Sequence, residues 1–168
     1  MNTRLYQFEQ LLPLHYPLVN KFYKNTGYGG RAGRDELVYI LRDASAIVAA
    51  VRLQPKPDGW LFLRAMCVAP ELRGQGAGRQ LLRGLNELLT SRPVYCYPFE
   101  HLIRFYAAAG FQRVNDERLP EGKPAPGPVT PHFMTEALQR YRQQGRKVCL
   151  MVHATGLPAL AADREAEP

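Results

Sequence analysis

Three glycines at alternate positions, with an arginine on either side, form the segment of this sequence best suited to chemistry. The glycines are Gly74, Gly76 and Gly78, and the arginines are Arg73 and Arg79. Because glycines at this spacing remove side chains from a tight turn, successive backbone N–H groups can converge on an anion. A helix that starts after the turn adds its positive end, and the arginines can pair with phosphate oxygens. The segment is either a pyrophosphate-binding loop or a plain glycine turn.

Two common nucleotide-binding loops do not fit this segment. A Walker A loop ends in Gly-Lys followed by Ser or Thr, whereas Gly78 is followed here by Arg79 and Gln80. The dinucleotide fingerprint GxGxxG opens a βαβ unit and has an acidic residue about twenty positions later, at the end of a strand. In this sequence the glycines run GxGxG, and three strand-like segments precede them.

Hydrophobic periodicity and turn residues predict helices and strands on both sides of the loop. In chain order, we predict a strand at 4–8, a helix at 11–23 that Pro17 would kink or split, and strands at 36–42, 46–53 and 60–69. A helix at 79–90, a strand at 94–97, a helix at 99–109 and a strand at 111–114 follow. The last two predicted elements are a helix at 133–144, with Thr130 as its N-cap and Pro131 in its first turn, and a strand at 146–154. The loop therefore joins a strand to an amphipathic helix.

Length and composition indicate one domain with its own core. The chain has 168 residues, and we assign residues 1–154 to a single domain and the Ala-, Pro- and acid-rich residues 155–168 to a flexible tail. The sequence has no run of about eighteen apolar residues and no apolar N-terminal stretch typical of a secretory signal. We therefore expect no membrane span and a cytoplasmic location.

The cysteines and the charged residues indicate which kinds of binding site the sequence supports. The odd number and wide spacing of Cys67, Cys96 and Cys149 predict buried, reduced thiols. Without CxxC or HxxxH spacing we predict no metal site. The net charge of +7 attracts polyanions, which include phosphorylated cofactors and nucleic acids. Because the basic residues are scattered and no aromatic–basic repeat accompanies them, we do not expect nucleic acid as a partner.

Residues 66–78, MCVAPELRGQGAG, resemble the acetyl-CoA-binding motif of the GNAT superfamily of acetyltransferases. That motif is a strand ending in Val-x-Pro, followed by Arg/Gln-x-x-Gly-x-Gly/Ala at the start of a helix. Arg73, Gly76 and Gly78 fill its three defining positions, and Val68-x-Pro70 matches the strand end. The resemblance favours the pyrophosphate-binding loop over the plain turn.

A second segment supports the resemblance. Residues 105–111, FYAAAGF, are similar to the family's Phe-Tyr-x-x-x-Gly-Phe and lie at the usual distance after the first motif. The order of predicted elements also agrees over residues 37–114. The resemblance implies an α/β (α+β) fold, the GNAT fold, with a mixed central sheet of six to seven strands and flanking helices.

The resemblance also implies the activity and the cofactor. Acetyl-CoA would donate its acetyl group to a primary amine, which attacks the thioester directly in a ternary complex. The pantetheine arm would pair beside the strand at 65–68, and the pyrophosphate would lie on the amides of the glycine loop. The implied cofactor-binding residues are Met66, Cys67, Val68, Arg73, Gly74, Gln75, Gly76, Ala77, Gly78 and Arg79.

The catalytic residue that the resemblance assigns is Tyr106. Its phenol has an ordinary pKa of about 10, so it is protonated at neutral pH and can act as general acid on the leaving thiolate. A backbone N–H near Cys67 or Val68 would stabilise the oxyanion. The alternative for Tyr106 is an ordinary packed aromatic residue on an amphipathic helix.

The general base is not identified by the sequence. Many family members use a glutamate on the cofactor strand or on the strand before it, but residues 60–68 contain no acid. Glu100, His101, an ordered water chain and an amine that binds already neutral all stay open. A second function also stays open for this reason, a catalytically inactive coenzyme A-binding sensor or regulatory module on the same fold.

The sequence departs from the family pattern at two places. Phe99 and Leu102 stand where the family often has Asn and Ala, and residues 119–145 are inserted before the last strand. The insert is a candidate lid or homodimer contact. The resemblance implies that the acceptor, a small-molecule or peptide amine, would lie among the N-terminal helices, the loop at 25–34 and the insert. Aromatic candidates to line the acceptor site are Tyr16, Phe22, Tyr23, Tyr28 and Tyr97, with the acidic residues Asp35 and Glu36 nearby.

Overall fold

A computed structural model describes residues 4–114 and 130–153 of the chain. The chain forms two compact units, and the boundary between them lies after Leu88. The predicted tail at 155–168 lies outside the described residues, as does the inserted segment up to residue 129. In the described part of the chain, none of the helices has the length and apolar character needed to cross a membrane.

The first unit is an antiparallel sheet with two helices. Its elements are β1 (Gln7–Leu11), α1 (Tyr16–Asn25), β2 (Leu37–Arg42), β3 (Ile47–Pro55), β4 (Leu61–Val68) and α2 (Ala77–Gly84). Each strand pairs with the next one in the chain, with Leu11 opposite Val38 and Leu37 opposite Leu53. The strands predicted at 36–42, 46–53 and 60–69 are thereby confirmed as β2, β3 and β4, and short turns containing Asp43 or Pro57-Asp58-Gly59 connect them.

Helix α1 supplies much of the core on its side of the sheet. Tyr16, Val19, Phe22 and Tyr23 recur at helical spacing, are buried, and pack with apolar residues of β2, β3 and β4. A short 3-10 turn over Pro13–His15 precedes the helix, and Pro17 lies in the first turn of α1. Proline is tolerated there because the N–H it lacks has no partner inside the helix. Pro17 therefore lies at the start of α1, and the helix predicted at 11–23 is split there into the 3-10 turn and α1.

The predicted helix at 79–90 is two helices. Helix α2 ends at Gly84, and α3 (Asn86–Ser91) follows after Leu85. Glycine has low helix propensity, and a Cβ at Gly84 would lie 2.2 Å from the ring of Phe8. The absent side chain lets α2 approach β1 closely at the cost of helix continuity.

The second unit has three strands and two helices beyond α3. They are β5 (Val94–Cys96), α4 (Ile103–Ala107), β6 (Phe111–Arg113), α5 (His132–Gln143) and β7 (Met151–His153). Strand β7 pairs antiparallel with both β5 and β6, so that Val152 lies opposite Tyr95 on one side and Gln112 on the other. The aromatic rings of Tyr95, Tyr97, Phe133 and Tyr141 pack edge-on in this unit.

Several predicted boundaries differ from the observed ones. Strand β1 begins at Gln7, and the helix predicted at 99–109 is a 3-10 turn followed by α4. Pro131, with its extended backbone, is the N-cap of α5, so the assignment of Thr130 was wrong. Strand β7 is only three residues long, and before it Val148 forms an isolated bridge to Phe99. The three cysteines are buried and free, as predicted.

Candidate functional site

The glycine loop lies between β4 and α2, and its backbone uses conformations that favour glycine. Gly74 has φ 76° and Gly76 has φ 90°, both in the left-handed region that costs other residues about 1 kcal/mol or more. Gly76 is the N-cap of α2. A Cβ at Gly74 would meet no atom within 4 Å, so the outer side of the turn is open.

The N–H groups of this loop are available to a ligand. Within residues 4–114 and 130–153, the backbone N–H groups of residues 74–79 have no hydrogen-bond acceptor. The first N–H groups of any helix lack an intrahelical partner, and those of α2 continue the row that Gly74 begins. Such a row of donors at the positive end of a helix fits a pyrophosphate.

Side chains around the loop brace it against the sheet. Arg73 Nε donates to the carbonyl oxygen of Val68 at 3.2 Å, which ties the loop to the end of β4. Gln75 Nε2 donates to Glu71 O at 3.0 Å. In the first turns of α2, Gln80 Nε2 donates to Arg4 O at 2.7 Å, and its Oε1 accepts from Tyr6 N at 3.1 Å. The loop is therefore held from both sides while its N–H groups stay open.

Strand β4 carries a bulge at Ala65 and Met66. Its pairing with β3 shifts between Ala50, opposite Cys67, and Arg52, opposite Arg64. Ala65 has φ 57°, an uncommon conformation for a residue with a side chain. Strained bulges in strands recur next to active sites, where they re-aim backbone groups. This bulge lies in the stretch for which pantetheine pairing is predicted.

Helix α1 fixes that bulge. The hydroxyl of Tyr23 donates to Ala65 O at 2.9 Å, and Thr26 Oγ1 lies 3.3 Å from Cys67 Sγ. Burial raises the pKa of Tyr23 well above its ordinary value, so its hydroxyl stays protonated and remains a donor. Cys67 is itself buried. Tyr23 and Cys67 thus have structural partners inside the first unit.

Tyr106 lies in the second unit, on α4. It is 6% exposed, and its ring packs edge-on against Phe105 at 5.0 Å and Phe111 at 5.7 Å. These are the aromatic residues of the second sequence motif. Gly110 follows α4 with φ 98°, a left-handed conformation that glycine commonly adopts after a helix. The motif therefore builds a packed helix end that fixes the ring of Tyr106.

The candidate bases occupy exposed positions. Glu100 and His101 belong to the 3-10 turn before α4, and both are exposed. The imidazole of His101 stacks on the ring of Phe99 at 5.8 Å. The Glu100 N–H donates to Lys147 O at 3.2 Å. Neither side chain is buried in a way that singles it out as a base.

A family profile matches the part of the chain that contains these features. The profile is described as "Acetyltransferase (GNAT) domain" and matches residues 34–113. This range includes the bulged strand, the glycine loop and Tyr106. The match supports the resemblance of this chain to the GNAT superfamily. The profile supports acetyl-CoA as the cofactor and N-acetyltransferase activity in general.

Solved GNAT structures share the fold. The ribosomal-protein-S18-alanine N-acetyltransferase from Escherichia coli has 16% identity and a TM-score of 0.59, with 90% of this chain and 95% of that chain covered. A putative N-acetyltransferase from Lactobacillus plantarum has 18% identity and a TM-score of 0.57, with 89% and 98% covered. Escherichia coli ElaA has 19% identity and a TM-score of 0.58, with 89% and 99% covered. The predicted α/β GNAT fold is thereby confirmed. None of the curated protein sequences matches this chain significantly.

A buried ion pair beside β4 was not predicted from the sequence. Arg52 on β3 is 2% exposed and Glu36 is 8% exposed, and Arg52 NH1 donates to Glu36 Oε1 at 3.1 Å. The guanidinium also lies over the Tyr23 ring, 5.3 Å from its centroid, and donates to Arg31 O. One signal was present, since Arg52 is the single charge in the apolar run IVAAVRL.

Four of the aromatic residues suggested for an acceptor site pack together in the first unit. Tyr16, Phe22 and Tyr23 are buried in its core and Tyr28 packs against them, and the hydroxyl of Tyr16 donates to Glu36 O at 2.6 Å. Tyr28 also lines a cavity in this unit. Tyr97 belongs to the second unit, where its hydroxyl donates to Met134 O at 2.8 Å.

Proposed function

We propose that this chain is an active N-acetyltransferase that transfers the acetyl group of acetyl-CoA to a primary amine in a ternary complex. The observation that carries the proposal is the row of N–H groups at residues 74–79, which have no acceptor within the described residues. Every helix start leaves its first N–H groups open, and here the N–H groups of residues 74–76 in the glycine turn extend that row. A diphosphate would satisfy them.

The cofactor-binding residues of the proposal come from β4 and the glycine loop. Bound acetyl-CoA supplies the activated thioester. Residues 74–79 would hold its diphosphate through backbone N–H groups, and Arg79 is exposed beside them. Arg73 would act chiefly by fixing the loop, because its Nε is bonded to Val68 O. Met66, Cys67 and Val68, at and after the bulge, would pair with the pantetheine arm through main-chain groups.

Tyr106 is the proposed general acid. Its burial among Phe105 and Phe111 holds the ring in one orientation, which is what a proton donor needs. A protonated phenol at this position would donate to the leaving thiolate. The acceptor would be a small-molecule or peptide amine. Because β4 contains no acidic residue, a group outside β4 would take the proton from this amine.

Removal of the Tyr106 hydroxyl tests this role. We expect Tyr106→Phe to lower kcat by about a hundredfold, because general acid catalysis contributes about 10²–10⁴ in rate. The affinity for acetyl-CoA should stay nearly unchanged. The measurements are thiol release from acetyl-CoA with a panel of primary amines and calorimetric titration of the cofactor.

A control variant tests whether the effect is specific to Tyr106, and two cofactor-binding results separate the enzyme from the alternatives. Tyr141→Phe is a matched control, since it removes a phenol hydroxyl from α5 of the same unit and should leave kcat unchanged. If acetyl-CoA raises the Tm by binding linkage but no amine is turned over, the coenzyme A-binding sensor replaces the enzyme. If acetyl-CoA produces no shift at millimolar concentration, the loop assignment itself is wrong.

A further inference from the structure

A cavity of about 610 Å³ lies in the first unit, between α1 and the loop that follows it. Its walls combine the outer face of α1 with the glycine-rich segment 27–31. Pro17, Asn20, Lys21, Lys24, Gly27, Tyr28, Gly29, Gly30 and Arg31 line it. The size suits a small ligand or the end of a larger one.

The charge of this cavity is positive. Lys21, Lys24 and Arg31 line it, and none of the described lining residues is acidic. None of these three side chains forms an ion pair with a carboxylate of the described residues, whereas Arg42 pairs with Glu9 at 2.8 Å and Arg4 with Asp43 at 3.5 Å. Three positive charges around one cavity raise its electrostatic potential, and a bound anion lowers that potential.

The loop wall of the cavity is held in place by buried and half-buried groups. Asn20 Oδ1 accepts from Ala32 N at 2.8 Å, and Glu36 Oε1 accepts from Gly33 N at 2.9 Å. The buried Arg52 guanidinium donates to Arg31 O, and a Cβ at Gly30 would lie 3.2 Å from Arg52 NH2. The cavity is therefore preorganised, which reduces the entropy lost on binding.

The cavity adjoins the bulged part of β4. Gly27 in its wall follows Thr26, whose Oγ1 lies 3.3 Å from Cys67 Sγ. The ring of Tyr28 is 5.2 Å from that of Tyr23, whose hydroxyl is bonded to Ala65 O. An acceptor held in the cavity would thus reach the stretch of β4 at which the proposed function places the acyl group.

We propose that this cavity binds an anionic group of the acceptor, so that the substrate is an amine that also carries a carboxylate or a phosphate. The inference rests on the proposed function for the identity of the ligand as an acceptor. Lys21, Lys24 and Arg31 are its specificity-determining residues. Hydrogen bonds between charged groups are the strong ones, and a lost one costs about tenfold or more in affinity.

Matched pairs of amines test the inference on the wild-type protein. The carboxylate arm compares common L-amino acids with their decarboxylated amines, for example L-phenylalanine with phenethylamine. The phosphate arm compares phosphoethanolamine with ethanolamine. We expect kcat/KM to be at least about tenfold higher for the anionic member in one arm. Equal or faster turnover of the neutral member in both arms, or no turnover of any anionic member, overturns the inference.

Variants of the cavity complete the test. Lys24→Gln and Arg31→Gln should each raise KM for the anionic acceptor by about tenfold and leave KM for acetyl-CoA unchanged. Arg34→Gln is the matched control, because Arg34 is exposed in the same loop but does not line the cavity. An unchanged acceptor KM in both cavity variants overturns the inference. Failure of the proposed function looks different, since acetyl-CoA then gives no Tm shift and amines of both kinds release no thiol.

Discussion

The first unit contains two loops that are built in opposite ways. The glycine loop after β4 keeps the backbone N–H groups of residues 74–79 without an acceptor in the described residues. The loop after α1 uses its own N–H groups, since those of Ala32 and Gly33 donate to Asn20 and Glu36. One loop offers main-chain donors outward, whereas the other bonds the N–H groups of Ala32 and Gly33 internally and places side chains at its cavity.

This difference bears on what each loop can recognise. A row of main-chain donors binds an anion that is common to every use of one cofactor. Side chains on a fixed loop can differ between related proteins and so can select an acceptor. The cost of the second design is a buried ion pair, in which Glu36 Oε2 and Arg52 Nε have no hydrogen-bond partner among the described residues.

The largest expected effect comes from breaking that pair. Arg52→Met leaves the Glu36 carboxylate buried without its cation, and we expect the free energy of unfolding to fall by about 3–5 kcal/mol. Urea denaturation measures this change. In the protein that remains folded, acetyl-CoA affinity should change little, because the glycine loop does not contact Arg52.

A second substitution sharpens this test. In Arg52→Met/Glu36→Gln the amide oxygen can still accept from Gly33 N–H, and no charge is buried. Most of the lost stability should return, since replacing both charges of a buried pair is often nearly neutral. If the single variant is as stable as the wild type, the second loop is not anchored by this pair.

The next effect concerns the glycine loop. Gly76→Asp adds a side chain to a residue with φ 90° and a negative charge at the helix start, so acetyl-CoA affinity should fall by about a hundredfold, near 3 kcal/mol. Gly59→Asp is the matched control, because Gly59 has φ 78° and no atom within 4 Å of its Cβ position. The control should lose stability but keep its affinity in calorimetric titration. Retained affinity in Gly76→Asp would falsify the loop assignment.

The smallest expected effect concerns His153, a buried side chain that stays neutral, in contrast to the charged pair of Arg52 and Glu36. His153 is 5% exposed, and its Nε2 lies 3.0 Å from Ala109 O. Burial lowers the pKa of His153, although the hydrogen bond to Ala109 opposes this. The unfolded chain therefore takes up a proton near pH 6.5 while the folded protein does not.

The sign of the pH effect follows from that difference. The contribution of His153 to stability is complete above pH 6.5 and is lost as the pH falls toward its lower folded-state pKa. The slope for one group is at most about 1.4 kcal/mol per pH unit. Denaturant unfolding of the wild type and His153→Gln between pH 7.5 and 5 (roughly one and a half units below the ordinary histidine pKa) measures it. Parallel curves for the two proteins would contradict the assignment.

The elements that local patterns could predict were predicted well. The hairpin of β2 and β3, strand β4 and the glycine loop depend on alternation, turn residues and glycine spacing, all of which act over a few neighbours. The errors lie where distant contacts decide. Gly84 interrupts a helix because of Phe8, and strand β7 is short because it is defined by its partners β5 and β6.

The sequence by itself indicated the GNAT resemblance and the α/β class, and it placed the glycine loop between a strand and a helix, because backbone conformation at glycines and helix starts is set locally. Only the tertiary structure decided that Arg52 and Glu36 form a pair, that Tyr23 fixes the bulge at Ala65, and that Lys21, Lys24 and Arg31 line one cavity. Arg52 and Glu36, like Tyr23 and Ala65, are far apart in the chain, so packing and not spacing brings each pair together. Lys21, Lys24 and Arg31 are close in the chain, but the cavity that they line forms only when the loop folds back against α1.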